Sequence, residues 1–183
     1  AREALQQFYL MAPGIAGGST SKARALADEV RDSQPELAHL LRARVLQNDS
    51  DTAGAERELK AYKPGKEQGL NRAWVQQWAG LGLSYLQDKQ LGKARSWFEQ
   101  LIKDQPQTAF GPFGLARVAA AEQRWDESAR CFEQARSLEG AKDLPIDYRL
   151  GLMLQAKGDK AQAKPALERY LAGKLPSKRL AED

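Results

Sequence analysis

The chain has 183 residues, 28 Lys/Arg against 24 Asp/Glu for a net charge of +4, a single cysteine and a single histidine. One thiol excludes an internal disulfide, and one Cys with one His excludes a zinc site built from those ligands. No apolar run reaches 18 residues, so no segment reads as a membrane-spanning helix.

Apolar residues recur at helical spacing along the chain, broken by turn residues, and runs with period-two alternation are missing. Glu3 to Met11 reads as a first helix. The long connection from Ala12 to Gly18 leads to a second helix carrying Ala23, Ala27 and Val30 and closed by Pro35. The stretch from Gly14 to Lys22 looks like a phosphate loop but lacks the G-x4-G-K-[ST] spacing, and no strand precedes it. It reads as a turn in which Ser19, Thr20 or Ser21 caps the next helix by accepting a bond from a free backbone N–H. Ala43 and Leu46, then Ala55, Leu59 and Tyr62, mark the next two helices, and residues 63 to 69 read as an inserted surface loop.

The following segment is the most regular. Trp78, Leu81, Gly82 and Tyr85 lie at i, i+3, i+4 and i+7 and form one helical stripe. Ala94, Phe98 and Leu101 form the stripe of a partner helix, with Ala94 small where two backbones meet. Pro106 ends the pair because it cannot continue a helix. A step of 34 gives Leu115, Ala116 and Ala119, then Trp125, Ser128, Phe132, Ala135 and Gly140. A further 35 gives Leu150, Gly151 and Leu154, the turn Gly158 and Asp159, then Ala163, Leu167, Tyr170 and, one residue late, Pro176. The step back from Trp78 to His39 is 39. Pro112 predicts a helix that starts late, and Pro165 predicts a kink in the last helix costing about 3 kcal/mol.

Trp78 to Tyr85 with Ala94, Phe98 and Pro106 follow the pattern W-x2-L-G-x2-Y, A-x3-F, P, and the chain thereby resembles the tetratricopeptide repeat (TPR) family. The resemblance is strongest over residues 75 to 108 and weaker elsewhere. It implies an all-α fold, a right-handed α-α superhelix of about five helix pairs, and one array over residues 1 to 183. Its approximate units are 1–35, 36–69, 70–108, 109–143 and 144–176, with a short C-terminal tail. In that family the first helix of each pair makes the inner, ligand-facing surface. Carried over by position, that surface holds Leu40, Arg44 and Gln47; Gln76, Ala79 and Leu83; Phe110, Phe113 and Arg117; and Tyr148, Leu152 and Gln155. Phe110 and Phe113 have a second reading, as packing residues beside Pro112. The Lys/Asn/Asn/Lys/Arg set with which one TPR subclass grips chaperone C-termini is replaced by Arg44, Gln76, Leu83, Phe113 and Arg117, which argues against that activity.

Chemistry finds little support. His39 stands where Trp78 does in the best repeat and reads as a packing residue, and Cys131 reads as a structural thiol beside Phe132. Carboxylates are scattered among opposite charges, with no acid/base pair to pick out. The excess of cations lies in residues 69–183, at 18 against 14, and alternates with anions as on solvated helix faces. No nucleic-acid partner, catalytic residue, metal or cofactor is expected. The expected function is a non-enzymatic scaffold that takes a peptide or protein with acidic and apolar groups in the groove. The alternatives are a structural or oligomerising subunit, including a homo-oligomer stacked through Tyr170 or Leu171, and a TPR domain of a larger envelope-assembly or enzyme protein. The compartment stays open between cytoplasm and periplasm, the latter if Ala1 follows a removed signal segment.

Overall fold

The computed structural model describes residues 2–174. Among them the chain forms ten α-helices and no strand. They are α1 (Arg2–Met11), α2 (Thr20–Glu29), α3 (Pro35–Asn48), α4 (Thr52–Ala61), α5 (Gln68–Gln87), α6 (Leu91–Asp104), α7 (Phe110–Ala121), α8 (Trp125–Arg136), α9 (Ile146–Lys157) and α10 (Lys160–Lys174). In order they make five helix–turn–helix pairs. Pro176, expected to close the last pair, lies outside the described residues.

The turns inside the last four pairs share one geometry. Ser50, Lys89, Gln123 and Gly158 have φ of 60°, 59°, 58° and 90°. These positions are 39, 34 and 35 residues apart, the same steps as the apolar repeat. At each turn two N–H groups fold back onto the first helix: Lys89 donates to the carbonyl of Leu86 at 3.1 Å and Gln90 to that of Tyr85 at 2.9 Å. This is a Schellman-type end that satisfies carbonyls the helix itself leaves free. The second helix then starts at once. Where the residue after the turn is an aspartate it caps that helix, Asp51 accepting from Gly54 at 2.8 Å and Asp159 from Gln162 at 3.1 Å.

The chain divides into two compact units, residues 1–81 and 82–183. In the first, α1, α2 and α3 meet around Gln6, which is fully buried and donates from Nε2 to the carbonyls of Ala23 at 3.1 Å and Leu41 at 2.8 Å. Val30, Leu37, Ala38 and Leu41 form an apolar core beside it. Trp74 fixes α5 on α4. Its Nε1 donates to the carbonyl of Leu59 at 2.9 Å, in the last turn of α4, and its ring stacks on Tyr62 at 5.7 Å. Ser19 is the residue that caps α2, its Oγ accepting from Lys22 N.

In the second unit Phe98, fully buried, packs against α5 and α7 at Gly82 and Gly114, and Tyr85 meets Trp97 edge-on at 5.7 Å. Ser128 stands where the best repeat has Ala94, and its buried hydroxyl donates to the carbonyl of Ala116 at 2.8 Å. Phe113, Phe132, Leu150, Met153 and Leu154 belong to one core. Pro112 falls in the first turn of α7, where a missing N–H costs nothing, and α7 does start late relative to the repeat. Pro165 lies inside α10, which continues through it.

The connection after α1, residues 12–19, is long as expected, but residues 63–69 are not all loop. Helix α5 begins at Gln68 and takes up the end of the inserted loop, leaving 62–67. Asn71 holds that loop, its Oδ1 accepting from the Tyr62 hydroxyl at 2.7 Å and from Gly65 N at 3.1 Å. Burial, then Glu36 and Glu67, push the Tyr62 phenol up to about 12, so it stays a neutral donor there. Connection 137–145 is longer. It is pinned to the α6–α7 connection, Ala109 N–H donating to Glu139 O at 2.8 Å and Glu139 N–H to Gln107 O at 3.0 Å.

Candidate functional site on the first helices

In the first unit two of the expected groove residues are engaged within the chain. Arg44, half-buried on α3, donates from Nη1 to the Glu3 carbonyl and to Gln6 Oε1, each at 3.5 Å, so α1 covers part of its reach. Gln47 donates to the backbone carbonyl of Gln77 at 3.3 Å. Gln76 is exposed on α5. Leu40 and Ala79, also expected on the inner surface, are buried at 0% and 5% exposure, Leu40 one helical turn from the buried Leu37 and Ala79 one turn from the buried Val75.

Gln77 is not among the residues that the sequence places on this surface. It is 8% exposed, and neither Oε1 nor Nε2 has a hydrogen-bond partner among the described residues. The signal was there: an amide interrupting the apolar face of Trp74, Trp78 and Leu81. A buried amide with both ends unmatched costs free energy that a bound partner would return.

In the second unit the structure separates residues that the sequence grouped. Phe113 is 4% exposed and packs edge-on against Phe132 at 5.9 Å, so it belongs to the core and is not a surface anchor. Phe110 is half-buried against Gly140, whose β-carbon position would lie 3.1 Å from its ring. For Phe113 the packing reading is the one observed. Leu83 and Leu152 are half-buried; Gln155 is exposed. Tyr148 is 36% exposed, its ring 5.2 Å from that of Tyr170.

Arg117 lies half-buried on α7 with its guanidinium 5.9 Å from the centre of the Phe113 ring. Arg149 on α9 stands 5.6 Å over Tyr148, and its Nε is buried without a partner among the described residues. Burial and then the charge of Arg149 push Arg117 below the usual arginine range. Arg149 too is not among the residues that the sequence places on this surface, although it sits three residues after Ile146 and four before Met153, a charge on an apolar face.

Arg95 and His39 are matched locally. Arg95 bonds Glu127 at 2.8 Å and Glu122 at 2.5 Å; those hydrogen bonds raise Arg95 further and hold Glu127 below the ordinary glutamate range. His39 Nδ1 lies 2.7 Å from Glu58 Oε2, a polar link between α3 and α4 in place of the expected packing contact. Cys131 is 9% exposed, and burial followed by the charge of Glu127 raises its thiol. Among the described residues no three His, Cys, Asp or Glu side chains are grouped as metal ligands, and no helix is long and apolar enough to cross a membrane.

No family model and no curated protein sequence matches the chain. Solved structures do. A MamA structure, residues 41 to the end, from Desulfovibrio magneticus RS-1 superposes with a TM-score of 0.63 at 16% identity, over 94% of this chain and 93% of that one. A double mutant of MamA RS-1 gives 0.62 at 16% identity, over 94% and 92%. YrrB, a TPR protein with an unusual peptide-binding site, gives 0.56 at 16% identity, over 84% and 77%. MamA and YrrB are both TPR-repeat proteins, and the chain has their fold, an all-α solenoid of TPR-like helix pairs.

Proposed function

We propose that the chain is a non-enzymatic scaffold, a single array of five helix pairs whose first helices bind a peptide or a partner protein. One observation carries this reading. The buried side-chain polar atoms that lack a partner among the described residues belong to Glu3, Gln77 and Arg149. These lie on α1, α5 and α9, all first helices of their pairs, and none lies on a second helix. Native chains satisfy such groups, so unmatched ones concentrated on one class of helix indicate where another molecule completes them. Gln76, Tyr148 and Gln155 are the exposed neighbours through which a ligand gains access, and Leu83, Arg117 and the half-buried Phe110 supply further contact. YrrB, a protein of the same fold, carries a peptide-binding site, which supports a peptide or protein as the partner.

The test is photocrosslinking in the native cell. A photoreactive residue at Gln76, Tyr148 or Gln155 is expected to trap one and the same protein, while Arg130 and Lys164, exposed on second helices, trap none. The reverse pattern removes the first helices as the binding surface.

A second reading, a structural or oligomerising subunit, draws on Leu5, Phe8, Met11 and Ile15, exposed at 42%, 47%, 74% and 102%, and on Leu171 at 56%. A concentration-dependent dimer in sedimentation, lost on Leu5→Glu or Leu171→Glu, would favour it.

A further inference from the structure

The second unit holds two arginines that no described residue neutralises. Arg117 on α7 and Arg149 on α9 come from neighbouring first helices, each with its guanidinium over an aromatic ring. Among the described residues no ion pair is seen for either, and several acids of this unit are engaged by other cations. Asp147 accepts from Arg136 at 2.6 Å and Arg169 at 3.1 Å, Glu122 and Glu127 hold Arg95, and Asp126 pairs with Lys157 at 3.3 Å. Partial burial of two like charges is costly unless an anion joins them, and the depression of Arg117 by desolvation and by Arg149 is the sign of that cost. The buried, unbonded Nε of Arg149 is a donor already stripped of water, and a guanidinium edge offers a carboxylate two parallel N–H bonds.

We propose that Arg117 and Arg149, backed by the rings of Phe113 and Tyr148, form an anion-binding site that takes a carboxylate of an acidic side chain in the bound peptide. The proposal rests on the reading of the first helices as the peptide surface and adds the chemistry that selects the peptide. A partner segment bearing acidic residues beside an apolar one fits, since Tyr148 supplies an accessible ring next to the charged pair.

The experiment titrates the protein at fixed ionic strength with sodium succinate, and separately with inorganic phosphate, against sodium chloride. Arginine Nε–Hε resonances are followed, with Arg130 on the exposed face of α8 as internal control. Saturable shifts of Arg117 and Arg149 with succinate in the millimolar range are expected. Arg149→Gln should weaken them at least tenfold while melting stays close to wild type, and Arg149→Lys, which keeps the charge but not the fork, should fall between. Shifts no larger than those of Arg130 with either anion would overturn the site, and so would phosphate binding tenfold tighter than succinate, which would make it a phosphate site. A partner that crosslinks at Gln76 and Gln155 yet binds Arg149→Gln unchanged would sink this inference and leave the first-helix surface standing. Crosslinks confined to Arg130 and Lys164 would sink the surface itself and with it the peptide assignment, even where succinate binds.

Discussion

A β-carbon on Gly114 of α7 would stand 2.0 Å from Cε1 of Phe98 on α6, so the ring occupies the space that any other residue at 114 would claim. Phe98 is fully buried and has nowhere to retreat. Gly114→Ala gains about 1 kcal/mol of helix propensity and forces an overpacked ring. We expect a net loss of about 1–3 kcal/mol in urea unfolding. Ala94→Leu should cost a similar amount for the same reason. A neutral Gly114→Ala would mean that α6 and α7 can slide apart, and the packing described for the second unit would be wrong.

Left-handed turns give a prediction of the opposite sign. Lys89 and Gln123 hold φ near +60° without being glycine, a conformation that costs an L-residue about 1–2 kcal/mol. Gly158 fills the equivalent place in the last pair at no such cost. Lys89→Gly and Gln123→Gly should each stabilise by up to about 1 kcal/mol after the extra unfolded-state entropy is subtracted. A drop in melting temperature for both would show that these side chains matter more than the strain.

Much of this was legible in the sequence because the repeat is a packing constraint. Trp78, Ala94 and Phe98 announce themselves by size at fixed spacing, and the steps of 39, 34 and 35 recur in the backbone at Ser50, Lys89, Gln123 and Gly158. The candidate site was harder to read. Phe113 and Ala79 were placed by analogy of position, but α7 starts late, and Phe113 turns into the core. Gln77 and Arg149 were missed because a polar residue among apolar ones looks like a solvated position until its burial is known.

The Arg95 cluster makes stability depend on acid. Hydrogen bonding to Arg95 holds Glu127 below its ordinary range in the fold. The corresponding stabilisation is therefore fully present above the ordinary glutamate pKa and is lost as pH falls through the depressed folded value. Urea midpoints measured from neutral to acid pH should fall more steeply for wild type than for Glu127→Gln, which is less stable at neutral pH but has less to lose. Parallel pH profiles would contradict the pairing.

Cys131 reports on the integrity of the second unit. Its thiol is buried and raised, so little thiolate is present at neutral pH. Reaction with a disulfide reagent in native buffer should be slower than for the urea-unfolded chain by at least a hundredfold, with Gly114→Ala accelerating it. Fast labelling of the native protein would place Cys131 outside the core.

The central claim is that first helices, and not second helices, bind the partner. Phe113→Ala cannot test it, since truncating a core ring costs about 3–5 kcal/mol by itself. The direct measurement is a titration of the crosslinked partner against Tyr148→Ala with Arg117→Glu, and against Arg130→Glu with Lys164→Glu. The first pair should bind at least tenfold more weakly than wild type, about 1.4 kcal/mol or more, with helical content and melting close to wild type. The second pair should bind within twofold of wild type. The opposite ranking would contradict the account and move the binding surface to the second helices.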